Sequence, residues 1–258
     1  MEAPEPLDAA TDRIVRSAML VGLVPAVVLG LLLVLVHPLV GLLALVVVAG
    51  GWAFAVSARV RGARSSLIDP LGGAPLRAGQ EPRLENLLDG LTVTGGVSRP
   101  EVRVRPDSSM NALVAADGDG ATLVLTQGLV EGLGRVELEG VLANLLGRQR
   151  DGSARYATVV TALHGTGSRG SRLLLRGLGE QRSVRSDLAA VDMTRYPPGL
   201  IAALGEMTRA GTEVPDVSAR SVPMWLASPL ATTETVDASL AASTMQPLAL
   251  RIAVLEEL

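Results

Sequence analysis

The chain carries two histidines, His37 and His164, and no cysteine, so the side chains best suited to hold a transition metal number two. A catalytic zinc takes three protein ligands and keeps one position open for water. His37 sits beside Pro38 between two apolar runs and reads as a turn residue, which leaves His164 and scattered carboxylates. That set falls short of a zinc hydrolase. A serine hydrolase is no better supported, because no Gly-x-Ser-x-Gly elbow occurs. Residues 165–170, GTGSRG, lack the preceding strand that a phosphate-cradling loop needs and read as an ordinary flexible loop. All 23 basic residues are arginine, set against 26 acids for a net charge of −3. With no basic field, nucleic acid is not expected as a partner.

The elements that would position any chemistry begin with a membrane anchor. Residues 1–17 are polar and read as a loosely ordered tail ending in Arg13 and Arg16. Residues 18–36 and 39–56 follow as uncharged runs of 19 and 18 residues, broken only by His37-Pro38. At about 1.5 Å per residue, each helix would span roughly 27–29 Å, close to the hydrocarbon thickness of a bilayer. A signal peptide would have a much shorter apolar core. The pattern predicts a two-helix transmembrane hairpin, with Pro25 kinking the first span and Trp52 and Phe54 at the lipid interface. Arginines flank both ends of the hairpin and none lies in its turn, which predicts both termini on the cytoplasmic side of a bacterial inner membrane.

Residues 57–80 contain the Gly-, Pro- and Ala-rich stretch of a linker, and residues 81–258 form the remaining domain. Within it, Leu84, Leu87, Leu88 and Leu91 recur at helical spacing after Pro82. Short extended runs at 102–104, 111–115 and 122–126 predict a small, mostly antiparallel sheet, with a turn at 117–120. A helix opening near Arg135 places Leu138, Val141, Leu142, Leu145 and Leu146 on one apolar stripe. Further helices are expected over 156–163 and 198–209. The fold class expected from these runs is α+β, mainly helical.

The order of residues in 122–151 resembles the central block of the HtpX-like membrane zinc metallopeptidases. In that family a strand, a Thr-x-Gly-Leu turn and a Glu-Leu-x-x-Val-x-Ala segment lead into His-Glu-x-x-His and Arg-Asp. Thr126, Gly128, Leu129, Glu137, Leu138, Val141, Ala143, Arg150 and Asp151 match. The resemblance extends upstream through Gly96, Pro100, Val102, Asn111 and Ala112, and downstream through Trp225, Pro229, Pro247, Leu248, Arg251 and Ile252. It implies a zincin-like metallopeptidase domain following the hairpin, in which a strand at the rim of the cleft holds an extended peptide by strand addition. Thr122, Leu123, Val124, Leu125 and Thr126 are the expected edge strand.

At the family's functional positions the chemistry is missing. Asn144 and Arg148 stand where the two zinc-binding histidines belong, and Leu145 replaces the glutamate that deprotonates the metal-bound water. In a second segment the family's Arg-Glu-x-x-Ala-Asp reads Arg182, Ser183 and Asp187, so the third zinc ligand has become a serine. Met245 replaces a further histidine. A guanidinium cannot release its proton to bind a cation, and a hydroxyl is no substitute for a carboxylate at zinc. Leu145 is expected simply to pack. Arg148 has two readings: a solvated surface residue, or a cation in the place of zinc paired with Asp187.

The expected protein is a membrane-anchored, catalytically inactive metallopeptidase homologue without cofactor. Its expected partners are the lipid bilayer and a peptide segment or partner membrane protein, held without being cut. The alternatives are an active zinc endopeptidase with an atypical site, which alone would need zinc, and a structural membrane subunit.

Overall fold

The domain is arranged around one long helix whose central turns are buried. In the computed structural model, which describes residues 7–164, 174–179, 181–230 and 245–258, that helix is α7 (Arg135–Arg150). The 165–170 loop predicted from sequence lies outside the described residues.

The chain enters through α1 (Leu7–Val21) and α2 (Leu23–Val34), which join at Gly22 into a nearly continuous rod, and returns through α3 (Pro38–Arg61). Pro25 lacks the N–H that would bond to the carbonyl of Val21, which accounts for the break at Gly22. The His37 ring caps the start of α3, its Nδ1 accepting from the Leu39 N–H at 3.3 Å. The two rods are long and apolar enough to cross a membrane and leave their large apolar side chains exposed, among them Leu31, Leu32, Leu42 and Val46. Between them, Ala26, Gly30 and Gly41 are buried, and small residues at those positions let the two backbones approach closely. Trp52 does more than mark an interface. Its ring lies against Gly22, and its Nε1–H donates to the Ala18 carbonyl at 2.8 Å, clasping the hairpin.

Two expectations about the flanks of the hairpin need correction. The polar tail is helical from Leu7, because Leu7, Ala10 and Ile14 pack against the domain's second core while Asp8 and Asp12 reach Arg155. The stretch read as a linker is also folded. Helix α3 runs on to Arg61, and α4 (Ala63–Ile68) buries Leu67 and Ile68.

The sheet contains β1 (Ala74–Pro75), β2 (Glu101–Arg105), β3 (Ala112–Ala116) and β4 (Ala121–Thr126), in the spatial order β1-β2-β4-β3. The β1–β2 and β3–β4 pairs are antiparallel and β2–β4 is parallel, so the sheet is mixed. Residues 122–126 are therefore not an edge. Strand β4 is hydrogen-bonded on both sides, Val124 aligning with Arg103 on one neighbour and Leu113 on the other. Its own sequence carries the physical reason. ATLVLT is buried at every position, which is the composition of a strand covered on both faces rather than of a half-solvated rim. Leu123 and Leu125 enter the core around α7, while Val124 joins Leu113 and Ala115 in the core beneath α4 and α8 (Ser153–His164). The outer edge of β3 is covered as well. The Leu226 N–H donates to the Ala112 carbonyl at 2.7 Å, and Trp225 bridges Leu113.

Helices α5 (Pro82–Gly95) and α6 (Gln127–Gly132) close one side of α7. The other side is closed by α9 (Arg182–Thr194) and α10 (Pro197–Ala210), with α11 (Leu248–Glu256) packed against both. Gly128, where α6 leaves β4, sits so near the Ser108 backbone that a Cβ would approach its carbonyl oxygen to 2.2 Å. Only glycine fits there.

Candidate functional site

Helix α7 starts at Gly134, whose N–H is held by the Glu137 carboxylate, and from there drives residues 140–148 into the interior. Leu138, Leu142 and Leu145 are fully buried, so Leu145 is a packing residue. On the adjoining face, Asn144 and Arg148, one turn apart, are also buried. Helix α9 lies against that face, Gly147 facing Ala189 and Ser186, and presents Arg182, Ser183 and Asp187 inward. The positions that the family resemblance singles out in two distant segments thus meet in one place.

The contacts there are those of a clamp. The Asn144 amide donates to Asp187 Oδ1 at 2.7 Å. Asp187 pairs two-pronged with Arg251 of α11, through Nε to Oδ2 and Nη2 to Oδ1, both at 2.7 Å. The expected Arg148–Asp187 pair is not the one formed. Arg148 is buried, which excludes the solvated reading, but its Nη1 donates to the carbonyls of Met224 and Trp225 at 3.3 and 2.9 Å. Arg251 takes Asp187 because α11 brings its guanidinium in edge-on, satisfying both carboxylate oxygens at once. Ser183 is engaged with Gln246, its N–H donating to Oε1 at 3.1 Å and its Oγ accepting from the Gln246 N–H at 3.4 Å. Met245, next to it, is buried in the second core.

Charge is unevenly distributed here. Burial, followed by the repulsion of Arg182 and Arg251, holds the Arg148 guanidinium well below its ordinary pKa. Burial likewise draws Arg182 down to about 10, with Asp151 pulling the other way. At about 10, Arg182 remains a cation at neutral pH.

These residues do not fit zinc. The carboxylate at the centre, Asp187, is engaged by Arg251 and Asn144, and Arg148 puts positive charge where an imidazole would be required. Among the described residues, no group of three or more His, Asp or Glu side chains converges as a metal site. The Asn144 Oδ1 is buried without a partner, but a single amide oxygen is a poor zinc ligand.

No family model matches the chain. Curated relatives do. A protease HtpX homologue of Dictyoglomus thermophilum is 27% identical over 186 aligned residues, covering 58% of this chain and 61% of the relative. Homologues of the same name from Listeria welshimeri and Tropheryma whipplei are 26% and 24% identical, covering 66% and 67% of their own lengths. The chain is HtpX-like. It spans about 61% of the length of the Dictyoglomus relative. Within this HtpX-like chain, Arg251 is the functional neighbour that sequence reading underrated. The signal was present in LALRIAVLE, where one arginine stands among apolar residues a helical turn from Leu255, on the face that packs inward.

Proposed function

We propose that the protein is a membrane-anchored, catalytically inactive HtpX-like protein that binds a peptide segment or a partner membrane protein without cutting it. The observation that carries this reading is the Arg148 side chain, buried at the second histidine position and committed to two backbone carbonyls. A zincin-like domain is the fold that the relatives suggest, and the packing of α9 across α7 is compatible with it. Location in a bacterial inner membrane with both termini cytoplasmic is supported by Arg13 and Arg16 before the hairpin and by Arg59, Arg61 and Arg64 after it.

Because β4 is an interior strand and β3 is covered by residues 225–226, the bound segment needs another surface than the one expected from sequence. A cleft of about 850 Å³ beside the β2–β3 connection, lined by Asp107, Ser109, Met207, Thr208 and Leu248, offers both polar and apolar contacts. The competing reading, an active peptidase with an atypical site, is favoured by the name of the relatives. Metal analysis separates the two. Full-length protein purified in detergent with zinc present and no chelator is expected to carry far less than one zinc per chain and to leave unfolded casein intact. Stoichiometric zinc together with cleavage, both abolished by Asp187→Ala or Asn144→Ala, would overturn the proposal.

A further inference from the structure

Four successive carbonyls, those of Pro223, Met224, Trp225 and Leu226, are held by three guanidiniums arriving from three helices. Arg182 Nη1 donates to Pro223, Arg148 Nη1 to Met224 and Trp225, and Arg251 Nη1 to Leu226 at 2.8 Å. All three arginines are buried, at 1%, 2% and 0% exposure for Arg148, Arg182 and Arg251. Against them stands one buried carboxylate, Asp187, and Arg251 takes both of its oxygens. Asp151 attracts Arg148 and Arg182 from an exposed position, and Arg185 offsets part of that by repelling Arg182.

Among the described residues, Arg182 is therefore left without a buried counter-charge and Arg148 is drawn only by the carboxylate that Arg251 already occupies, while neither can discharge by losing its proton. Their donors are also incomplete. Arg182 Nε and Nη2 and Arg148 Nε are shielded from solvent and make no hydrogen bond. Buried charges and buried N–H groups are ordinarily paired, so donors left open at both levels call for a water or an ion to fill them, and the uncompensated charge favours an anion. Nε and Nη2 of one guanidinium form a two-pronged edge that grips a single negatively charged acceptor.

We propose that the Nε–Nη2 edge of Arg182, with Arg148 supplying the neighbouring charge, binds one small monovalent inorganic anion of the halide class. The enclosure of all three free donors favours a halide over a bulky oxyanion. Chloride would then stand as counter-ion in a centre whose arginines otherwise repel one another, fixing the 223–226 segment to α7, α9 and α11.

The test is thermal unfolding of the full chain in detergent, titrated with sodium chloride or bromide at constant ionic strength against sodium gluconate. A saturable rise of about 5 °C is expected with either halide. Arg182→Gln should abolish it, while Arg195→Gln, on the surface, should preserve it. Equal melting in chloride and gluconate overturns the proposal. So does a response to phosphate alone, or an equal rise with every salt, which would be screening. Should Arg182→Gln fail to fold, crystals of the unmodified protein in bromide decide: an anomalous peak within hydrogen-bond reach of Arg182 Nε and Nη2 supports the site, and its absence at saturating bromide overturns it.

Discussion

Asp187 is the residue on which the buried charge network converges, and its partners decide what each substitution does. Replacing it with alanine leaves Arg251 buried with only the Leu226 carbonyl and removes the acceptor of Asn144. Breaking one side of a buried pair costs about 3–5 kcal/mol. Asp187→Ala is therefore expected to lower stability by that order in denaturant unfolding, and Arg251→Met to do much the same. The double variant should cost far less than the sum, whereas Asp187→Ala and Arg148→Met should show weaker coupling, since those two attract through space without a hydrogen bond between them. Equal coupling in both cycles would mean that Arg148 shares the carboxylate. Part of this centre was legible in the sequence: that residues 144, 145, 148 and 183 carry neither an imidazole nor a carboxylate is a matter of residue identity alone. The partner of Arg148 was not. A guanidinium is satisfied equally well by a carboxylate or by carbonyls, and residues 224–225, which are 76 and 77 positions away, carry no side-chain signal of that role.

Elements meet here through glycines as much as through leucines. Where α7 crosses α10, a Cβ on Gly140 would come within 2.9 Å of the Leu200 nitrogen and one on Gly199 within 2.8 Å of the Val136 carbonyl oxygen, so backbone packs on backbone. Gly140→Ala forces the helices apart and should cost about 1–3 kcal/mol by overpacking. Gly90, in α5, faces open space at ordinary helical geometry, so Gly90→Ala should instead gain about 0.4–1 kcal/mol. Thermal melting of the two variants side by side gives opposite signs, and a shared sign would refute the crossing. Helix and strand positions followed from periodicity because apolar spacing is a local property, as in Leu84, Leu87, Leu88 and Leu91 of α5. Strand order did not follow. That β4 slips between β2 and β3 depends on which faces the helices cover, and the clue, the apolar run Leu123-Val124-Leu125, points to burial without naming the neighbour.

At the scale of the whole molecule, hairpin and domain are joined by more than a covalent tether. Arg155 of α8 reaches Asp8 at 3.3 Å and Asp12 at 2.7 Å on α1, beside the apolar contacts of Leu7, Ala10 and Ile14. All three charged side chains are partly exposed, and pairs of that kind contribute at most about 1 kcal/mol. Arg155→Ala should accordingly leave the melting temperature nearly unchanged while amide hydrogen exchange across residues 7–17 quickens. Unaltered exchange would show that the apolar contacts alone hold α1 down. The membrane-crossing pattern was readable because length and hydropathy are enough to reveal it. The docking of α1 was hidden because its acids and arginines look like any solvated tail. Since α1 continues into the first apolar rod with only the Gly22 break and is pinned to α8 through Arg155, a tilt of the hairpin would carry the domain with it as a single lever.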